Sequence, residues 1–169
     1  MLRLFHFALL SLSFLVNFPL HAAADTPVCV RAREATARAS KPVRVTASSK
    51  KIEIISFDKY TPLTSTGNRE GKWVEVQTKA GHLYWLRTQD LSRSMKCLEV
   101  SVQKSQTYLG PGRTFAPSKV AERGEVFLDL GGEDGWTRVQ NMAGEKTWID
   151  LDHTWKPTSK VRMSFTPDK

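Results

Sequence analysis

The stretch Gly71-Lys72-Trp73-Val74-Glu75-Val76-Gln77-Thr78-Lys79-Ala80-Gly81-His82-Leu83-Tyr84-Trp85-Leu86 aligns without a gap on Asp134-Gly135-Trp136-Thr137-Arg138-Val139-Gln140-Asn141-Met142-Ala143-Gly144-Glu145-Lys146-Thr147-Trp148-Ile149. Trp73 falls on Trp136, Val76 on Val139, Gln77 on Gln140, Ala80-Gly81 on Ala143-Gly144 and Trp85 on Trp148, all at the offset of 63 that separates 73 from 136. Two coincident tryptophan pairs in a chain with five tryptophans mark a duplication, so one supersecondary unit has been built twice. Each copy has the pattern of a β-hairpin. An alternating strand leads into a turn at Lys79-Ala80-Gly81 or Met142-Ala143-Gly144, where glycine accepts a positive φ, and a second strand ends in Trp and an aliphatic residue.

The flanking segments are short-stranded too. The first copy offers Arg44-Val45-Thr46, Ile52-Glu53-Ile54-Ile55 and Tyr60-Thr61-Pro62-Leu63-Thr64. The second offers Leu98-Glu99-Val100-Ser101-Val102, a turn cluster at Leu109-Gly110-Pro111-Gly112, and Glu125 to Leu130 leading into Gly131-Gly132. No stretch beyond the first 24 residues keeps a 3.6-residue apolar period for three turns, which predicts a nearly all-β protein.

Strand parity then sorts the side chains. Successive residues of an extended strand point to opposite faces, so Trp136 and Val139, three apart, must diverge, and Trp73 and Val76 likewise. If valine fills the interior, the indole faces outward. Two roles stay open for Trp73 and Trp136: lining a ligand groove, or covering a sheet edge or the junction between copies for bulk alone. Trp85 and Trp148 read first as packing residues, with ligand contact as their second role.

The second copy, from Cys97 to Trp155, resembles the bacterial SH3 (SH3b) family through Leu109-Gly110-Pro111-Gly112, Gly124-Glu125-Val126, Gly135-Trp136-Thr137-Arg138-Val139 and Trp148-Ile149. The first, from Cys29 to Leu91, follows the same order in diverged form. It has Ala39-Ser40-Lys41-Pro42 at the Gly-Pro turn, and Asn68-Arg69-Glu70-Gly71-Lys72 lengthens the approach to Trp73. The resemblance implies two tandem small SH3-like β-barrels and a non-catalytic binding function. For Trp73 and Trp136 it implies a place in the ligand groove, the nearby Arg138 and, as second candidates, Trp85 and Trp148 complete the ligand-binding set, and the implied ligand is cell-wall material, peptidoglycan or its stem peptides. An envelope protein is the other expected partner, and the alternative function is a structural or adaptor protein whose barrels mediate protein contacts. Arg87 and Asp150 follow the closing strands, and Asp90 or His153 stands where a proline-binding groove would place tyrosine, a departure from proline-rich peptide recognition.

The N-terminus predicts export. Met1 to His6 carries one cation, Phe7 to Val16 is an apolar run, and Ala22-Ala23-Ala24 supplies a cleavage pattern, so residues 1–24 read as a signal peptide. The run is shorter than the roughly 20 apolar residues that span a bilayer, and Pro27-Val28 before Cys29 does not form a lipobox. The expected organisation is signal peptide 1–24, first SH3-like domain 25–93, second 94–157 and a basic tail 158–169. The full chain carries +8, and since residues 1–24 hold one Arg and no acid, the remainder carries +7. A basic exported chain suits polyanionic surroundings, although such a surface also arises with no dedicated partner. Nucleic-acid binding on aromatics in a basic groove is a weaker expectation, because export argues against it.

Cys29 and Cys97 are the two cysteines, and an oxidising compartment predicts a disulfide between them; two buried thiols are the competing picture. Chemistry is not expected. Beyond the signal, the histidines are His82, in the hairpin turn, and His153, after the last strand, both expected to be exposed loop residues. Two barrels also leave no room for a catalytic domain. Asp150, Asp152 and His153 lie close together but lack a second His or Cys to complete a zinc set. Gly131-Gly132 is followed by acids, not by the Lys and Ser/Thr of a phosphate loop, so no cofactor is expected.

Overall fold

The computed structural model describes residues 25–39, 43–44, 50–51 and 54–159. The expected signal peptide 1–24, the turn at 40–42, the strand residues 45–46 and 52–53, and tail residues 160–169 lie outside the described residues. The first copy comprises β1 (Thr26–Val30), β2 (Glu34–Ala39), β3 (Val43–Arg44), β4 (Lys50–Lys51), β5 (Ile54–Asp58), β6 (Pro62–Glu70), β7 (Trp73–Gln77), β8 (Leu83–Arg87) and β9 (Leu91–Ser92), with a 3₁₀ turn at Thr88–Asp90. The second comprises β10 (Cys97–Val100), β11 (Lys104–Tyr108), β12 (Pro117–Glu122), β13 (Val126–Glu133), β14 (Trp136–Gln140), β15 (Lys146–Asp150) and β16 (Thr154–Trp155), with a 3₁₀ turn at Leu151–His153.

The protein is all-β, and the duplication extends to topology. The first seven-stranded sheet runs β5-β2-β8-β7-β6-β1-β9 and the second β12-β11-β15-β14-β13-β10-β16, all pairings antiparallel. The two orders superpose strand for strand; the β3–β4 ribbon is extra to the first copy. Each sheet curls around its own core. Val28, Val30, Ala35, Ala37, Leu63, Val74, Val76, Tyr84 and Leu86 fill the first, and Leu98, Val100, Ala121, Phe127, Val139 and Ile149 fill the second. Among the described residues neither sheet closes by hydrogen bonding: the orders end at β5 and β9, and at β12 and β16. Where the sequence predicts two tandem barrels, the structure has two seven-stranded antiparallel sheets, not closed barrels, each ending on one side at a two-residue strand, β9 or β16.

Some local expectations shift. Tyr60 does not begin a strand: it sits at φ 72° in a turn, and β6 starts at Pro62. β10 ends at Val100, short of the expected Val102. Gly131-Gly132 does not end β13 but lies inside it, at a register shift between Asp129 and Gly132 opposite β14. The equivalent shift in the first copy falls between Ser65 and Arg69 and holds one more residue. Both bulges turn on a positive-φ glycine, Gly131 or Gly67, whose N–H donates two residues back to Asp129 Oδ1 at 2.9 Å or Ser65 Oγ at 3.3 Å. A bulge of this kind needs a residue that tolerates the left-handed region.

The cysteines form a disulfide between β1 and β10, with Cα atoms 5.9 Å apart and 68 residues of separation, within the ordinary span of such a bond. Tyr60, Met95, Val126 and Leu128 pack around it in a third apolar cluster. Lys79, at the tip of the first hairpin, pairs with Glu99 at 3.1 Å and lies 5.7 Å from the Trp155 ring. Disulfide, cluster and lysine together join the two sheets.

Candidate ligand-binding faces

Along β14, Thr137 and Val139 are buried at 2% and 0%, while Trp136 is half-buried and Arg138 exposed. Trp136 and Arg138 thus share the outer face, and Val139 points into the core. Across the hairpin, Arg138 lies opposite Trp148 and Trp136 opposite Asp150. β11 adds Tyr108 opposite Trp148, and its ring meets that of Trp136 edge-to-face at 5.4 Å between centroids. Such a pair contributes roughly 0.5–1.5 kcal/mol beyond buried area, which orients both rings. Arg113, in the loop between β11 and β12, reaches toward this face, its guanidinium 3.6 Å from the Asp150 carboxylate, a largely solvated contact worth about 0–1 kcal/mol. Leu109 and Phe115 of the same loop are exposed at 65% and 47%, and Phe115 covers Gly110 so closely that a Cβ there has no room. Three aromatic rings and an exposed guanidinium therefore line one side of the second sheet.

The first copy keeps the indoles but spends them internally. Trp73 is half-buried on the outer face of β7, with the Arg38 guanidinium 4.0 Å above its centroid and that of Arg87 at 5.6 Å. Arg38 lies opposite Trp85 in the register that Tyr108 holds opposite Trp148, so a cation has replaced an aromatic ring. Glu75 takes the place of Arg138 and is buried at 8%, its carboxylate accepting from Thr66 Oγ1 at 3.0 Å and Asn68 Nδ2 at 2.7 Å. The longer first-copy bulge supplies both donors and covers the face that the second copy leaves open.

Of the sequence-derived residues, then, Trp136, Arg138 and Trp148 converge on one face, and Trp73 and Trp85 on its counterpart. Tyr108 was missed, although its place immediately before Leu109-Gly110-Pro111-Gly112 is the available signal. Arg38 gave no signal, since β2 shows only alternation. His82 is exposed in its turn, as expected. His153 is not a free loop residue: it is half-buried, and its Nδ1 lies 2.9 Å from the buried Ser105 Oγ, which fixes the last 3₁₀ turn to β11. Among the described residues, no three His, Cys, Asp or Glu side chains converge as a metal site, and no helix is long and apolar enough to cross a membrane.

One buried acid stands apart. Asp129, 8% exposed, accepts at Oδ1 from Thr137 Oγ1 at 2.7 Å and from the Gly131 N–H at 2.9 Å, and its Oδ2 lies 3.3 Å from Lys156 Nζ. Burial pushes its carboxyl upward, but the Thr137 and Gly131 hydrogen bonds and the Lys156 charge outweigh burial and hold it below the ordinary aspartate value.

No family model and no curated protein matches the chain. Among solved structures, NlpC2 from Trichomonas vaginalis is similar at 15% identity and a TM-score of 0.34, over 79% of this chain and 48% of that one. NlpC1 from the same organism is similar at 16% identity and a TM-score of 0.34, over 87% of this chain and 51% of that one. The chain thus spans about half the length of these structures.

Proposed function

We propose that the chain is an exported, non-catalytic binding protein built from two SH3-like (SH3b) modules, and that its second module engages cell-wall material, peptidoglycan or its stem peptides. The observation that carries the reading is the outer face of the second sheet, where Trp136, Trp148 and Tyr108 stand beside the exposed Arg138. Flat apolar rings next to a planar donor suit a sugar or peptide backbone, because the rings desolvate one side while the guanidinium takes carbonyl or carboxylate oxygens. The first module, with Trp73 capped by Arg38 and Glu75 roofed by Thr66 and Asn68, acts as a support. A Cys29–Cys97 disulfide suits an oxidising compartment and thus export.

The test is co-sedimentation with purified sacculi. Wild-type protein is expected in the pellet, and Arg138→Ala and Trp136→Ala are expected to lower recovery at least about tenfold if each removes one good contact. Arg138 is exposed, so that variant retains its fold; unchanged recovery for it, or wild-type protein left wholly in the supernatant, overturns the reading. An envelope adaptor is the second reading, favoured by the exposed Leu109, Phe115 and Val120 on and beside the β11–β12 loop. It predicts retention of an envelope protein by the intact chain and loss of that retention in Phe115→Ala.

A further inference from the structure

At the end of the first sheet, the strand geometry opens a cavity of about 470 Å³ between β1, β6 and β9. Its floor is Val28 and Val74, its wall includes the buried Ser65, and its rim carries Arg31, Arg69 and Arg93 with Ser92 and Ser94. No acid lines it. Among the described residues none of the three arginines joins an ion pair or stacks on a ring. Asp90, in the 3₁₀ turn just before β9, meets Arg31 through its backbone carbonyl, which accepts from the Arg31 N–H at 2.9 Å.

The second copy explains what this place is for. Register puts Ser65 opposite Val76 as Asp129 is opposite Val139, and Val74 opposite Arg69 as Thr137 is opposite Gly132. Ser65 therefore corresponds to Asp129, Val74 to Thr137 and, at the offset of 63 that relates β9 to β16, Arg93 to Lys156. In the second copy, Asp129 fills the site with a carboxylate of the chain itself, held by Thr137, the Gly131 N–H and Lys156. In the first copy the carboxylate has become a hydroxyl, yet the cation at 93 remains. Arg31 and Arg69 are added to it. Gly132 cannot carry a side chain, because a Cβ there would meet the Trp136 carbonyl and the Thr137 backbone; at the longer bulge of the first copy, Arg69 stands in its place.

Three permanently charged, forked donors therefore surround an acid-free cavity at a spot where the sister copy holds an internal carboxylate: Arg93 keeps the place of Lys156 without that carboxylate, and Arg31 and Arg69 add charge with no acid beside it. We propose that this cavity is an oxyanion-binding site that takes a carboxylate or phosphoryl group from a ligand in the position of the Asp129 carboxylate. The site lies apart from the Trp136 face and does not depend on the function assigned to it.

The test is an NMR titration of the purified protein, observing the arginine Nε–Hε signals. Inorganic phosphate is added in one arm and N-acetyl-alanyl-alanine, whose single charge is its carboxylate, in the other. The expected result is a shift of the Arg31, Arg69 and Arg93 signals by at least one probe, weakening as salt rises. Arg69→Ala should bind at least about tenfold more weakly, as loss of a charge-assisted contact predicts. Ser65→Asp, which installs the second copy's carboxylate, should abolish the shift. A response to phosphate alone assigns the site to phosphoryl ligands, and one to the dipeptide alone to peptide C-termini. Silence toward both probes, or wild-type affinity in the exposed-site variant Arg69→Ala, overturns the proposal whether or not Ser65→Asp folds. Trp136→Ala should leave the titration unchanged, so a failure of wall binding does not carry over to this site.

Discussion

Asp129 offers the sharpest test of how the second sheet is held. In Asp129→Ala the Thr137 hydroxyl, 2% exposed, loses its acceptor in the interior, as does the Gly131 N–H at the bulge. A hydrogen bond to a charged group contributes about 1.5–3 kcal/mol, and a buried donor left unsatisfied costs about 1–3 kcal/mol. The Lys156 contact adds less, about 0–1 kcal/mol, because half of that side chain is in water. The alanine variant should therefore lose about 3 kcal/mol. Asp129→Asn, which keeps an oxygen for both donors, should lose about 1 kcal/mol, and Lys156→Ala less than about 1 kcal/mol. Urea unfolding followed by tryptophan fluorescence measures this order through the transition midpoints at constant m-value.

The same carboxyl sets a pH dependence. Its folded value is lowered, so in acid the unfolded chain binds the proton first, and the stabilisation is complete above the ordinary aspartate value of 3.8. It is lost as pH falls through the lower folded value. The difference between wild type and Asp129→Asn should therefore narrow on acidification and stay constant above pH 5. Equal losses for Asp129→Ala and Lys156→Ala, or a difference that grows in acid, would refute the assignment of the hydrogen bonds as the dominant support.

Reducing the Cys29–Cys97 bond frees a loop of 68 residues, which chain-entropy arithmetic sets at ~4 kcal/mol; a stability difference under about 1 kcal/mol between oxidised and reduced protein would show that the bridge constrains little. Ile149→Ala, at a 0% exposed site, should cost about 2–5 kcal/mol, against less than about 0.5 kcal/mol for Arg138→Ala on the opposite face of the hairpin. Comparable losses in thermal unfolding would overturn the face assignment. Gly132→Ala should cost about 1–3 kcal/mol by overpacking against rigid backbone and raise amide exchange along β13 and β14; wild-type protection there would mean that the bulge yields.

Much of the hairpin was legible because its determinants are local. Trp136, Arg138 and Gln140 alternate with Thr137 and Val139, and glycine marks both turns, so face and register follow from the period of two alone. The bulge at Asp129 was not legible, since Gly131-Gly132 looks the same whether it ends a strand or kinks one. His153 looked like a loop residue because nothing near it in sequence announces Ser105, 48 positions away.

The division has a physical cause. Alternation, turn chemistry and the 63-residue duplication belong to the extended backbone and its neighbours in sequence, and from these the chain alone determined an all-β architecture built twice, with indoles opposite valines. Tertiary structure alone decided the open sheet ends, the Tyr108 ring on Trp136, the Arg38 guanidinium on Trp73, and the gathering of Arg31, Arg69 and Arg93 around one cavity. Those meetings depend on strand order and curl, which bring together residues tens of positions apart. One added residue in a bulge, together with Arg38, Glu75 and Ser65 in the places of Tyr108, Arg138 and Asp129, gives two copies of one fold different faces and different charges.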